Sequence, residues 1–338
     1  MSNSPISFCI VGLGWWGGEI AKAAAKTNNC KIAACYTRTP ATREAFSKSH
    51  GCRAMESWEA VLQDEEVDAL ILTTPHSTHA RMVVEAASAG KHVLVDKPFV
   101  LHVPDGQRAV AACNKADVRL AVDHQRRRQP AHKEMKRIIE SGQLGQIVQA
   151  EGNISYGLNL TIDPNAWRGD PAECPAGSMT AMGVHAADLY FHFLGPVKSL
   201  IATSRSVHPR TRIDDVTTIL LEFESGVEGY LGTNALTPKM FFIQALGIEG
   251  IVRAESEGSR LTLFQKGVEA PFVTDFPVKE DPVTLPLTEE LADFAESVQL
   301  GKTPAVDGET ALHACAILEA ISVSNREGRR VELAELYE

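Results

Sequence analysis

The sequence predicts two domains of different class: an α/β domain with a parallel sheet over residues 1–124, then an α+β domain with an open, mainly antiparallel sheet over residues 125–338. Three observations carry this reading. Up to about residue 124, short β-rich runs alternate with helix-like segments, and the strands are almost continuously apolar, as in a parallel sheet covered on both faces. After Pro130 the alternation stops and long strands follow one another with little between them. A glycine-rich turn follows directly on the first strand at Gly12. The length also exceeds what one hydrophobic core usually organises.

In order, residues 6–11 read as a strand and the alanine-rich residues 17–26 as a helix. Residues 31–36 are a strand, and residues 41–49 a helix ended by Gly51. Ser57 is placed to N-cap a helix over residues 58–63. Residues 67–73 form a strongly apolar strand, and residues 77–89 a helix closed by Gly90. A strand at 92–95, a helix at 104–115 and a strand at 119–122 complete the first pattern. Then come a helix at 131–140, a strand at 147–156, a Pro- and Gly-rich loop at 159–175 and a helix at 180–194 stopped by Gly195-Pro196. Strands follow at 197–206, 216–224, 227–235, 241–247, 251–255 and 261–265, with Gly226 and Gly250 at hairpin turns. Helices at 289–300 and 309–326 end the chain.

A formal net charge of -10 argues against a general attraction to nucleic acid or anionic lipid, and the short cluster Arg126-Arg127-Arg128 does not reverse that. The 7 cysteines are odd in number, include no Cys-x-x-Cys and sit mostly in apolar stretches, which reads as thiols in a reducing compartment. No signal-peptide pattern precedes the first strand, and no apolar run approaches the roughly 20 residues of a membrane span. A cytoplasmic protein with a small-molecule substrate is the expectation.

Gly12-Leu13-Gly14-Trp15-Trp16-Gly17 is a G-x-G-x-x-G between the first strand and the first helix. Gly12 permits the tight turn, Gly14 lets backbone N–H groups approach a pyrophosphate, and Gly17 permits close helix–strand packing. In this context the motif predicts a Rossmann domain binding a nicotinamide dinucleotide. At the end of the second strand, where an NAD site usually has Asp or Glu, the chain has Thr37-Arg38. A hydroxyl followed by a guanidinium suits a 2′-phosphate, so NADP is preferred and NAD remains possible; an exposed arginine without a ligand is the alternative. Asp96-Lys97-Pro98 follows the strand at 92–95, at the edge where such folds bind ligands. Lys97 can hydrogen-bond a substrate hydroxyl and favour negative charge developing on it, or it is simply a solvated surface lysine.

Taken with Thr73-Thr74-Pro75-His76 and His79, and with Gly183-Val184-His185-Ala186-Ala187-Asp188, these motifs occur in the order and spacing of a known family. Together they resemble the glucose-fructose oxidoreductase/inositol dehydrogenase family, also called Gfo/Idh/MocA, over nearly the whole chain. The resemblance implies that Lys97 assists catalysis and that His185 serves as base. It implies that Thr73, Thr74, Pro75, His76 and His79 line the nicotinamide side of the cofactor site, with Asp96 and Pro98 beside them. It further implies that Trp167 and Arg168 face the cleft and that substrate meets Lys97, Arg127, Trp167, Met182 and His185. Homodimers or homotetramers are expected on the same ground. One departure stands out: many polyol-oxidising members carry Asp four residues before the histidine, where this chain has Ala181. A methyl group neither accepts a substrate hydrogen bond nor stabilises an imidazolium.

Other readings of the same residues are open. His185, Asp188 and His192 share one helical face and would suit a divalent metal, although no metal site is expected; otherwise Asp188 orients His185 or caps something nearby. Arg127 either meets substrate or pairs with an acidic group across the domain hinge. Besides a dehydrogenase or reductase of sugars, polyols or cyclic diols, the fold permits a non-catalytic dinucleotide sensor or transcriptional regulator. It also permits a glycoside hydrolase using tightly held NAD.

Overall fold

A computed structural model describes residues 4–209, 212–277 and 283–338, so the start of the N-terminal stretch read for a signal peptide lies outside the described residues. The chain forms two compact units, the first holding the described residues of Met1–Val100, Asp105–Gln125 and Glu280–Leu312, the second those of Leu101–Pro104, Arg126–Lys279 and His313–Glu338.

The first unit is a doubly wound sheet. Its strands are β1 (Ile6–Val11), β2 (Cys30–Tyr36), β3 (Arg53–Ala54), β4 (Ala69–Leu72), β5 (His92–Asp96) and β6 (Leu120–Asp123), in the order β3-β2-β1-β4-β5-β6. Every pairing is parallel. β1, β4 and β6 are buried along their whole length, as expected of strands covered on both faces. Helices α1 (Trp15–Ala24), α2 (Pro40–His50), α3 (Trp58–Gln63), α4 (His79–Ser88) and α5 (Val103–Ala116) connect them. The caps read from the sequence recur: Ser57 Oγ accepts from Ala60 N at 3.0 Å, and Gly51 ends α2 with φ 65°.

The division expected at residue 124 needs correction further along the chain. Helix α8 (Thr284–Leu300) packs on the first sheet: Leu287, Leu291 and Phe294 join the core of β1, β2 and α1, with the Phe294 ring 6.0 Å from that of Phe8. Burying one such aromatic contributes about 1.5–3 kcal/mol, which the helix gains only against this sheet. The helix also starts five residues before the expected 289, with Pro286 in its first turn, where a missing N–H costs nothing.

The second unit carries a nine-stranded sheet: β7 (Ile147–Ser155), β8 (Val197–Arg205), β9 (Val216–Phe223), β10 (Glu228–Asn234), β11 (Met240–Gly247), β12 (Gly250–Glu255), β13 (Arg260–Gln265), β14 (Phe272–Asp275) and β15 (Val331–Glu332). The order is β14-β13-β12-β11-β7-β10-β9-β8-β15, antiparallel except where β10 meets β7. Inward residues such as Ile219, Leu221, Leu231, Ile243 and Val252 share one core with α6 (Pro130–Glu140), α7 (Val184–Leu194) and the later part of α9 (Gly308–Glu327). The opposite face leaves Ile201 and Leu220, a cross-strand pair, exposed. The short β3, β14 and β15 escaped the sequence reading. No helix among the described residues is long and apolar enough to cross a membrane.

Candidate cofactor and proton-transfer residues

The turn after β1 is built as the glycines require. Gly12 has φ 98°, and a Cβ there would lie 2.6 Å from the Thr73 carbonyl oxygen. Thr73 Oγ1 donates to the Gly12 carbonyl at 2.5 Å, and the Gly12 N–H donates to Tyr36 O at 2.9 Å, so β2 and β4 grip the turn from either side. At Gly17 a Cβ would meet Gly12 O at 2.6 Å. Gly14 is the N-cap of α1, and nothing lies within 4 Å of where its Cβ would be. Uncapped backbone N–H groups at a helix start, opening onto free space, form an anion cradle. Leu13 is half-buried and Trp15 is 69% exposed beside the loop. Trp16 is fixed differently, its Nε1 donating to Asp123 Oδ2 at 2.8 Å at the exit of β6.

Beyond β2, Thr37 is half-buried and Arg38 exposed. Sequence reasoning missed a third member: Arg43, one turn into α2, donates through Nη1 to Thr37 O at 3.1 Å and to Glu56 O at 3.4 Å. Its signal was an arginine one turn into the helix that Pro40 opens. Two guanidinium groups therefore stand at the loop where sequence reasoning saw one.

Thr73, Thr74 and Pro75 are half-buried at the exit of β4. His79, expected to line the nicotinamide side, is fully buried instead, with Nδ1 3.0 Å from Pro98 O and Nε2 3.0 Å from Thr74 O. It is a strut that ties the turn after β5 to the exit of β4. His76, only 5% exposed, packs edge-on against it with ring centroids 5.9 Å apart. The strut supports Lys97, which is half-buried just past β5, whose N–H donates to Asp96 Oδ1 at 2.8 Å and whose peptide bond to Pro98 is cis.

In the second unit, the helix expected over 180–194 begins with a π-helical turn, Met179–Gly183, before α7 takes over. That turn buries Met182 to 1% exposure in the core, so its side chain packs the fold where a substrate contact was expected. Ala181 is half-buried and His185 keeps 8% of its surface. Arg127 is committed to Asp188: Nε donates to Oδ2 at 2.8 Å and Nη2 to Oδ1 at 2.6 Å. The acidic partner anticipated across the hinge thus lies on α7 of the same unit, and the pair draws Asp188 away from a metal-ligand role. Burial holds His192 down to about 4. Arg168 is exposed and stacks over the Trp167 ring at 4.1 Å.

Residues 6–124 match the family model for the GFO/IDH/MocA oxidoreductases, NAD-binding Rossmann fold, and residues 132–253 match the GFO/IDH/MocA C-terminal domain. The chain is 28% identical over 338 residues to a D-xylose 1-dehydrogenase (NADP(+)) of Haloferax volcanii, covering 96% of this chain and 99% of that one. It is 29% identical over 297 residues to a scyllo-inositol 2-dehydrogenase (NAD(+)) of Bacillus subtilis, covering 82% of each. Among solved structures, the WlbA dehydrogenase of Bordetella pertussis in complex with NADH and UDP-GlcNAcA superposes with a TM-score of 0.88 at 26% identity, over 98% of this chain and 99% of that one.

Proposed function

The chain belongs to the Gfo/Idh/MocA oxidoreductase family, and from that premise we propose that it moves hydride between NADP(H) and a CH–OH carbon of a sugar, polyol or cyclic diol. The observation that carries the reading is the cradle at Gly12 and Gly14, closed by Thr73 and open at the start of α1. NADP(H), when bound, supplies or accepts the hydride; the residues of the chain hold it and manage the proton. The uncapped N–H groups of α1 suit its pyrophosphate. Arg38 and Arg43 favour a 2′-phosphate at the loop that Thr37 begins, where no carboxylate repels one.

Oxidising a hydroxyl also requires its proton to leave, so the chemistry needs a base and a donor that steadies charge on oxygen. Lys97 and His185 are the residues we assign to these roles. Ala181 in place of a carboxylate shifts the weight toward Lys97. The relatives named above are dehydrogenases, which favours turnover over a sensor. Buried cysteine thiols suit the cytoplasm, and the exposed Ile201–Leu220 pair suits a homodimer or homotetramer. Screening sugars, polyols and dihydrodiols for a change in nicotinamide absorbance with NADP(H) and NAD(H) tests the reading. Turnover of none with either cofactor would overturn it.

A further inference from the structure

One side chain of the glycine-rich turn is anchored at the far edge of its sheet. Trp16, the second residue of α1, is half-buried and packs on the core that α8 shares with β1 and β2. Its Nε1 donates to Asp123 Oδ2 at 2.8 Å. Asp123 ends β6 and is 1% exposed, and its Oδ1 accepts the Gln125 N–H at 3.3 Å. In the β5–β6 ladder it pairs with Asp96, so the anchor belongs to the sheet itself. The order β1-β4-β5-β6 sets two strands between the turn and this carboxylate. With neighbouring strands about 4.8 Å apart, β1 and β6 are separated by roughly 14 Å. That span calls for a donor on a long, stiff side chain, which the indole supplies. A buried carboxylate is costly unless it is hydrogen-bonded, and the shorter of its two bonds goes to the turn.

The start of α1 has little else to hold it. Gly14 caps the helix without a side-chain bond, and no acidic residue stands in the first turn. Gly17 and Gly18 follow, and glycine is the poorest helix former after proline. Gly17 is nevertheless required, since a Cβ there would meet Gly12 O at 2.6 Å. Gly18 N donates to Gly14 O at 3.2 Å, so the N–H groups before it, from Trp15 to Gly17, are the ones left for an anion at the helix start. Trp16 thus offers a backbone N–H to the cradle while its ring is tied to β6.

We propose that Trp16 and Asp123 are positioning residues for the dinucleotide: through the indole, the buried carboxylate holds the first turn of α1 with its N–H groups converged on the pyrophosphate. The assignment rests on the cofactor reading above. Asp123 acts through Trp16 and touches no part of the cofactor. Without the bond, the glycine-rich turn samples other conformations, and binding must order it again; with the bond, that ordering is complete before the cofactor arrives. The pyrophosphate is common to NADP and NAD, so the clamp serves both equally, unlike the arginines at the loop beyond β2.

The test titrates NADP and NAD into the full-length protein and its variants, with folding followed by circular dichroism and urea midpoints. Trp16→Phe keeps an aromatic ring and loses the donor; Asp123→Ala loses the acceptor. Each should raise the Kd of both dinucleotides about tenfold, and the double variant should be no weaker than the weaker single one, because the two side chains act through one bond. Asp123→Asn, whose amide oxygen still accepts from Nε1, should restore the Kd to within about threefold of the wild type. A folded Trp16→Phe with unchanged Kd, even with a lowered urea midpoint, would make the bond part of the fold alone and overturn the proposal. So would losses that add in the double variant, a loss confined to NADP, or an Asp123→Asn as weak as Asp123→Ala. If Asp123→Ala does not fold, Trp16→Phe and Asp123→Asn still decide. The wild-type titration separates the two readings: a wild type that binds neither dinucleotide refutes the cofactor reading and the clamp together, whereas tight binding that the variants leave untouched refutes the clamp alone.

Discussion

Arg127 and Asp188 form a two-pronged ion pair inside the second unit, with side chains only 11% and 2% exposed. Arg127 stands at the entry to α6 and Asp188 in the middle of α7, so the pair fixes the helix that carries His185 to the segment leading into the unit. Removing one partner strands the other charge in a low-dielectric interior. Arg127→Ala or Asp188→Ala should cost about 3–5 kcal/mol in urea unfolding. A loss below about 1 kcal/mol would mean that the pair is solvated and positions nothing.

The loop after β2 gives a second expectation. Arg38→Ala and Arg43→Ala should each weaken NADP binding by roughly 10- to 150-fold, as expected from losing about 1.5–3 kcal/mol of charge-assisted hydrogen bonding, and leave NAD binding nearly unchanged. Arg43→Ala carries an extra consequence, because its Nη1 also holds Thr37 O and Glu56 O. Titrations of both cofactors by fluorescence decide it. Equal losses for NADP and NAD in both variants would assign the arginines to loop structure.

The loop also shows where the sequence stops being legible. Strand and helix types are written in local apolar patterns, and so are the turns that Gly12 and Gly51 make, because one backbone conformation demands each residue. Arg43 was invisible because its contact depends on how α2 sets down on the loop beyond β2. The same holds for α8: nothing local to Phe294 says that it packs on Phe8, nearly the whole chain away. The strut role of His79 and the Trp16–Asp123 bond likewise join elements that only the sheet order brings together. The π-helical turn at Met179–Gly183 hid because one extra residue per turn barely disturbs a helical apolar pattern, yet it moved Met182 into the core.

Acid should loosen the second unit through its buried histidines. His313 Nε2 accepts the Val197 N–H at 2.8 Å, which only the neutral ring can do, and burial holds its pKa down to about 4. The folded value lies below the unfolded value of about 6.5, so this contribution is fully present above pH ~6.5. It is lost as pH falls from there toward 4. Burial holds His132 down to about 3 and His192 to about 4, and both act in the same direction. Stability should fall by about 1 kcal/mol per pH unit for each such histidine across that window. His313→Gln, whose amide oxygen can still accept from Val197, should flatten the slope measured by urea midpoints between pH 7 and 4.5. An unchanged slope would place the acid response elsewhere.

The last expectation concerns proton transfer. Lys97 sits just past β5, on a turn braced by His79 between the Pro98 and Thr74 carbonyls, so its backbone is held firmly while its side chain stays half-buried. His185 sits in the first turn of α7, on a helix anchored by the Arg127–Asp188 pair. A hydroxyl that lost hydride without losing its proton would leave a protonated carbonyl, so a residue must take that proton. Lys97→Ala should therefore lower turnover by at least about 100-fold while leaving the NADP Kd nearly intact. His185→Ala should also impair turnover, and the size of its effect separates the roles. If Lys97 is the principal acceptor, the pH dependence of kcat/KM for oxidation in His185→Ala keeps the wild-type acidic limb, where the acceptor becomes protonated, at a reduced rate, and the double variant is little worse than Lys97→Ala. If His185 is the acceptor, that limb disappears in His185→Ala and survives in Lys97→Ala. Near-normal turnover in Lys97→Ala would remove the catalytic assignment altogether, since a lysine that holds no proton in flight is only part of the surface.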